Sequence, residues 1–165
     1  MTSGLPPSLS VPALALVGAA AGLLATLAMD VPMRGLLAEG MTPPSVAAGA
    51  LTGSDTANAP RGVALAVHYG SGTGAGLTFT VLAVLGAAVG LSGPVVAGLP
   101  VLALAAAALV QLPVMVAFFS YLVLPRYGTV EDERVPAIRR DWLRSATVYV
   151  VSVTALLPAL VWAVG

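Results

Sequence analysis

The fold of this chain is decided by residues 62–125, which read GVALAVHYGSGTGAGLTFTVLAVLGAAVGLSGPVVAGLPVLALAAAALVQLPVMVAFFSYLVLP. These 64 residues contain no Asp, Glu, Lys or Arg, and only His68 among them could become charged near neutral pH. The hydrocarbon core of a bilayer is about 30 Å thick, and a helix crosses it with about 20 apolar residues. The stretch is therefore long enough for two membrane-spanning helices, joined at the turn formed by residues 91–94.

Two further stretches, residues 1–29 and 145–165, also lack ionisable side chains. Each is long enough for one span, and helices are expected because lipid cannot satisfy free backbone N–H and C=O groups. We therefore predict an all-α fold, a single integral membrane domain over residues 1–165 built as an antiparallel four-transmembrane-helix bundle. The predicted spans are residues 12–33, 61–89, 95–124 and 142–164, the third of them irregular at Pro100 and Pro113.

The composition excludes several classes of protein. Hydrophobic residues make up 58% of the chain and charged residues 8%, whereas a soluble domain has about 25% charged residues. The formal net charge is zero, so there is no basic surface for nucleic acid. With no Cys and one His we expect neither a metal site nor a cofactor. A Cu(I) site built from Met29, Met33 and His68 is the alternative, and ordinary packing of the two Met side chains is favoured over it.

All seven Arg residues fall in the two predicted loops that follow the first and third spans or, as Arg61 and Arg144 do, in the first residues of the span after each loop. Positively charged loops stay on the cytoplasmic side of a membrane. This bias predicts a multi-pass protein of the plasma membrane, with both charged loops in the cytoplasm and both termini outside. Residues 1–29 are not expected to be a cleaved signal peptide, because the first positive charge follows the apolar run instead of preceding it.

Small residues recur at four-residue spacing along the predicted spans, a pattern that allows two helix backbones to approach closely. On a helical wheel they share faces that oppose the bulky aliphatic residues, so we place them inside the bundle. A further face of small residues would serve self-association. The predicted packing positions are Gly18, Gly22, Gly72, Gly76, Gly86 and Gly90.

Polar side chains collect in the cytoplasmic half of the predicted bundle. Asp30 near the end of the first span and His68 near the start of the second lie at similar heights, which suggests proton relay or ligand binding. Two structural interpretations stay open: Asp30 pairs with Arg34 one helical turn later, and His68 only hydrogen-bonds a neighbouring helix. The predicted polar pocket consists of Asp30, His68, Tyr69, Tyr121 and Tyr149.

A family resemblance rests on three features: the run from Gly18 to Asp30 (GAAAGLLATLAMD), the Pro-rich loop after it, and His68-Tyr69-Gly70 at the start of the second span. Over about the first half of the chain these features resemble small uncharacterised prokaryotic membrane proteins of the YagU type. The resemblance implies no activity. The use of Arg without Lys, with abundant Ala, Gly and Val, is typical of a GC-rich haloarchaeal or actinobacterial genome.

Three classes of function follow from these features. The first is a non-enzymatic assembly or accessory subunit in the lipid bilayer that forms a homo-oligomer or joins a partner membrane complex. The second is a small oligomeric transporter or proton-linked carrier with its polar pocket in the cytoplasmic leaflet. An intramembrane enzyme or redox carrier ranks last, because the chain has no Cys and no second His.

Overall fold

The computed structural model describes residues 9–165, and its long elements are helices. Four of these are long and apolar enough to cross a membrane, which confirms the all-helical class and the number of candidate spans. Residues 1–8, part of the terminus predicted to lie outside, fall outside the described residues. The helices are α1 (Val11–Gly35), α2 (Thr42–Thr52), α3 (Arg61–Ala88), α4 (Val101–Ala117), α5 (Leu124–Tyr127) and α6 (Val135–Val164).

Two of the four candidate spans contain irregular turns. The third runs over Val101–Tyr127 and joins α4 to α5 through a π-helical segment, Phe118–Val123. The fourth begins with a short 3-10 turn at Asp132–Arg134 and continues as α6, so it starts earlier than the predicted residue 142. A second 3-10 turn, Thr56–Asn58, lies between α2 and α3. At 1.5 Å per residue, even α1 is about 37 Å long, more than the hydrocarbon thickness.

Proline marks the start of every helix. Its fixed φ suits the first helical turn, where its missing N–H has no partner to lose. Pro12, Pro43, Pro125 and Pro136 lie in the first turn, and Pro60 and Pro100 are the residues that directly precede α3 and α4.

The four long helices close into a ring. α1 packs against α3 and α6, and α4 packs against the same two helices from the opposite side. The end of α1 and the end of the third span both meet the start of the fourth, so each long helix runs antiparallel to its neighbours. The ring encloses one large apolar cluster, in which Phe79 of α3 and Tyr149 of α6 are fully buried.

α1 and α3 are in contact along a regular series of pairs. Each step of four residues forward along α1 meets a step of four residues back along α3. A Cβ on Gly22 would lie 2.5 Å from the Gly72 carbonyl oxygen and 2.7 Å from the Gly76 Cα, so the two backbones touch there. The series of pairs is Gly18–Thr80, Gly22–Gly76, Thr26–Gly72 and Asp30–His68.

The third span begins later than the predicted residue 95. Two short antiparallel strands, β1 (Val95–Val96) and β2 (Leu99–Pro100), form a hairpin in place of the first helical turns. Its two turn residues have positive φ, 50° at Ala97 and 80° at Gly98, as in a tight type I′ turn. The helix begins only after Pro100. Proline has no N–H to donate and keeps the residue before it out of the helical conformation, so it favours the start of a helix over its interior.

α2 packs under one end of the ring. Its Val46 is completely buried in a second apolar cluster with Phe119, Leu124 and Ile138. Every Arg and every acidic residue lies at this end, which we name the charged end. The opposite end, which holds the hairpin, carries no charged side chain among residues 9–165.

Candidate functional site

A group of four polar side chains joins α1 to α3 at the charged end. The carboxylate of Asp30 is its centre, and we name the group the Asp30 cluster. Oδ1 of Asp30 lies 2.7 Å from Nε2 of His68. Oδ2 accepts hydrogen bonds from the Tyr69 hydroxyl at 2.5 Å and from Nε of Arg34 at 3.1 Å.

The helix register explains why these groups meet. Asp30 continues the α1–α3 series of contacts by one step, which places it opposite His68. Both residues are buried, with 9% and 6% of their surface exposed. On a helical wheel of α1 alone, Asp30 lies about a quarter-turn from the stripe of Gly18 and Gly22. In the structure it nevertheless takes part in the α1–α3 contact.

The carboxylate also determines the chemistry of the imidazole. An ionised carboxylate only accepts hydrogen bonds, so Nε2 of His68 carries the hydrogen and donates a hydrogen bond to Oδ1 of Asp30. In the neutral ring Nδ1 is then an acceptor, and no residue within 9–165 hydrogen-bonds to it. His68 therefore has one nitrogen committed to Asp30 and one available to a ligand.

The structure does not unite all five residues of the predicted polar pocket. Asp30, His68 and Tyr69 belong to the Asp30 cluster, while Tyr149 donates its hydroxyl hydrogen to the Gly72 carbonyl at 2.7 Å. Tyr121 lies elsewhere, with 69% of its surface exposed and its ring centroid 5.0 Å from the Arg139 guanidinium. Phe119 and Ser120 occupy the buried face of the π-helical segment, so the next side chain points outward.

His68 and Tyr149 also line a cavity of about 240 Å³, which we name the His68 cavity. Its walls come from α1, α2, α3, α4, α6 and the π-helical segment, and they are almost entirely apolar. The lining residues are Met29, Pro43, Pro44, Ala47, Val67, His68, Ser71, Gly72, Ala75, Met115, Phe118, Phe119, Val123, Trp142 and Tyr149.

The six predicted packing glycines differ in their surroundings. Gly18, Gly22, Gly72 and Gly76 form the α1–α3 contact, and Gly86 faces Ala103 of α4. Gly90 packs against no helix: it follows α3 with a φ of 93°, and a Cβ there would meet nothing within 4 Å. A left-handed conformation explains this glycine instead.

A second polar group, which the sequence analysis missed, ties the α1–α2 loop to α6. Arg134 donates from Nε and Nη2 to the two carboxylate oxygens of Glu39, each at 2.8 Å. The Glu39 backbone N–H donates to Oδ2 of Asp141 at 3.1 Å, and Asp141 is only 2% exposed. The bonds from Arg134 hold the pKa of Glu39 below its ordinary value, although burial opposes this effect.

Residues 125–141 carry a run of charges, Glu131-Asp132-Glu133 and Arg139-Arg140-Asp141, which is typical of a solvated loop. The structure makes residues 132–141 helical and buries Asp141. One signal could have revealed this: Ile138, Asp141 and Ser145 follow the 3–4 spacing of a single buried helix face.

No group of three or more His, Asp or Glu residues that could hold a metal ion occurs in the described part of the chain. Comparison of the chain with protein-family models, with curated proteins and with solved structures finds no match. The resemblance to YagU-type proteins therefore stays a prediction.

Proposed function

We propose that this protein is a non-enzymatic, multi-pass protein of the plasma membrane that acts by assembling with a second copy of itself. Its charged end would lie in the cytoplasm and both termini outside. Four apolar helices of sufficient length and the confinement of all seven Arg residues to one end of the ring support this orientation.

The orientation is directly testable because the chain contains no Cys. Ser92→Cys places a thiol in the exposed turn before the hairpin, and Ala57→Cys places one in the exposed loop between α2 and α3. In intact cells an impermeant maleimide should label the variant at position 92 and not the one at position 57. The reverse pattern would overturn the orientation.

The observation that carries the assembly proposal is the outer face of α3. This face presents small residues at four-residue spacing, opposite to the face that packs on α1. A Cβ added at Gly62, Gly70 or Gly74 would meet nothing within 4 Å, so no part of the described chain covers them. We name this surface the outer α3 face, made of Gly62, Ala66, Gly70, Gly74 and Thr78.

Large aliphatic side chains are exposed on the other long helices, among them Leu16, Leu109 and Val151, as expected for contact with lipid. The far half of α6 also exposes small residues, Ala155, Ala159 and Ala163, but these are alanines and not glycines. The outer α3 face instead carries three glycines without side chains, and a second helix would cover it better than disordered lipid chains because the backbones can approach closely. The face carries no charge between Gly62 and Thr78, so two identical copies fit without repulsion about a two-fold axis.

Disulfide cross-linking in native membranes tests this assembly. Gly70→Cys should give a covalent dimer under mild oxidation, because residues on a two-fold axis approach their own copies. Val151→Cys, exposed on α6, is the matched control and should remain monomeric. Equal cross-linking of the two variants, or none at Gly70→Cys, would overturn the proposal.

A proton-linked carrier is the second candidate, favoured by the buried contact between Asp30 and His68. Alternating access would require a charged site that both sides can reach. The Asp30 cluster lies near one end of the ring, and the buried polar core residues beyond it are uncharged ones such as Thr26, Thr80 and Gln111. Proton flux in proteoliposomes that His68→Gln abolishes would favour this function over assembly alone.

A further inference from the structure

The His68 cavity has the features of a ligand site that neither the Asp30 cluster nor the outer α3 face explains. Besides Tyr149, three aromatic rings line it, those of Phe118, Phe119 and Trp142. The Phe119 and Trp142 rings lie 5.1 Å apart at a tilt of 54°. Aromatic walls favour a flat ring, which gains offset or edge-to-face contacts that a flexible chain does not.

The π-helical segment shapes this wall. It contributes three lining residues, Phe118, Phe119 and Val123, and π-helical turns inside α-helices occur frequently at functional sites. The Trp142 indole N–H donates to the Met115 carbonyl at 3.1 Å, which fixes this ring against α4. The wall is therefore held in place before any ligand arrives.

The polar side-chain atoms that line the cavity are almost all hydrogen-bonded. The Tyr149 hydroxyl donates to the Gly72 carbonyl, the Ser71 hydroxyl donates to the His68 carbonyl, and Nε2 of His68 is bound to Asp30. Nδ1 of His68 has no hydrogen-bond partner among residues 9–165, and its ring is 6% exposed while lining the cavity. With the proton on Nε2, Nδ1 is an acceptor and calls for a hydrogen-bond donor on the ligand.

The size and position of the cavity restrict the kind of ligand that it can bind. An apolar cavity of about 150 Å³ holds a benzene molecule, so about 240 Å³ accommodates one substituted aromatic ring. Two of its lining residues, Ser71 and Phe118, are exposed on the outside of the ring of helices. The cavity thus opens sideways, toward the surface that lipid would cover.

We propose that the His68 cavity binds a membrane-soluble molecule carrying a hydroxylated aromatic ring. The ring lies among Phe118, Phe119 and Trp142, and its hydroxyl donates a hydrogen bond to Nδ1 of His68. Asp30 acts as a positioning residue, because its carboxylate fixes the tautomer that leaves Nδ1 as an acceptor. This proposal does not depend on self-association.

Quenching of tryptophan fluorescence tests the site. The chain has two Trp residues, and Trp162 is 80% exposed near the opposite end. In a Trp162→Phe background, the remaining Trp142 reports on the cavity alone. The probes are 4-iodophenol and iodobenzene, whose iodine quenches on contact and which differ in the hydroxyl group.

We expect saturable quenching by both probes, with 4-iodophenol binding about three- to tenfold more tightly because of one additional hydrogen bond. His68→Phe should abolish the difference between the probes. Ala47→Leu, which fills the cavity from α2, should weaken binding of both by at least tenfold. Ala50→Leu, the same change on the exposed side of α2, should leave both affinities unchanged.

Three results would overturn the proposal. One is quenching that rises linearly with probe concentration, as partition into the detergent or lipid would produce. Another is equal affinity for the two probes in the Trp162→Phe protein. The third is binding that Ala47→Leu does not weaken. Because this variant leaves the Asp30 cluster intact, it tests ligand binding in the His68 cavity even if His68→Phe fails to fold.

Discussion

Replacing Gly22 with Ala places a methyl group where α1 and α3 touch. The new Cβ would lie 2.5 Å from the Gly72 carbonyl oxygen and 2.7 Å from the Gly76 Cα. Ordinary van der Waals contact begins at 3.4 Å, so the helices must separate locally by about 0.9 Å. Backbone atoms form this contact on the α3 side, and no side-chain rotation can relieve it.

The expected cost follows from this geometry. Forcing extra atoms into a well-packed contact costs about 1–3 kcal/mol, and the better helix propensity of Ala returns at most about 1 kcal/mol. We therefore expect Gly22→Ala to lower the free energy of unfolding by about 1–2 kcal/mol. The separation would also lengthen the bond between Asp30 and His68, two contact steps further along α1.

Gly35→Ala is the matched control, since a Cβ at this position of α1 would meet nothing within 4 Å. Reversible unfolding in dodecyl maltoside micelles with a rising fraction of dodecyl sulfate, followed by far-ultraviolet circular dichroism, measures both variants. If Gly22→Ala is as stable as Gly35→Ala, the backbone contact between α1 and α3 is not as close as described.

Three further predictions concern single polar groups, and the same unfolding assay measures each of them. Asp30→Asn should lower the free energy of unfolding by about 1–3 kcal/mol, because the donors on His68, Tyr69 and Arg34 lose their charged acceptor. The control Asp55→Asn, at an exposed residue, should leave the free energy of unfolding unchanged. Equal effects of the two substitutions would contradict the role of the Asp30 cluster. Tyr149→Phe should cost about 1 kcal/mol through loss of the bond to the Gly72 carbonyl, against no loss for the exposed Tyr127→Phe. Because the folded-state pKa of Glu39 lies below its ordinary value of 4.5, the stabilisation from Arg134 is complete above about pH 4.5 and is lost as the pH falls through the lower folded-state pKa. Glu39→Gln should therefore be less stable than the wild type at pH 7 by about 1 kcal/mol, since Arg134 is half exposed, and this difference should shrink in acid; a difference that is constant with pH would contradict the ion pair.

The number of helices long and apolar enough to span a membrane could be predicted from the sequence, because it depends on local quantities, the lengths of uncharged runs. The hairpin at residues 95–100 could not, since apolar residues such as Val95 and Leu99 suit a span and a hairpin equally well. Gly98 and Pro100 were the available signals; Pro100 was interpreted only as an irregularity within the helix, and Gly98 was not used.

For the candidate site, the sequence could predict only the height of each residue along its helix. Asp30 and His68 lie at matching heights, but whether they face each other depends on the register of α1 against α3. The close contacts between glycines of α1 and α3 set this register, and a helical wheel drawn for one helix gives no information about it. Tyr121 was placed wrongly for a related reason, because Phe119 and Ser120 of the π-helical segment take the buried face and leave Tyr121 outside.

Asp141 shows the limit of arguing from charge runs. Its neighbours Arg139 and Arg140 suggested a solvated loop, whereas its own position continues the buried face of α6. The tertiary partner that makes its burial tolerable, the Glu39 backbone N–H, is about one hundred residues away in the sequence. The outer α3 face likewise became apparent only when α1 was seen to occupy the opposite face.

Self-association through α3 is the central claim, and its most direct test is energy transfer between donor- and acceptor-labelled copies in liposomes as the protein-to-lipid ratio is lowered. The wild-type protein should show concentration-dependent transfer with the form of a dimer equilibrium. Gly70→Leu, which adds a bulky side chain to the outer α3 face, should weaken this association at least tenfold. Ala20→Leu, the control on the exposed side of α1, should leave the association unchanged. The claim would be contradicted if energy transfer in the wild-type protein is no greater than randomly distributed copies would give. It would also be contradicted if Gly70→Leu does not reduce the transfer.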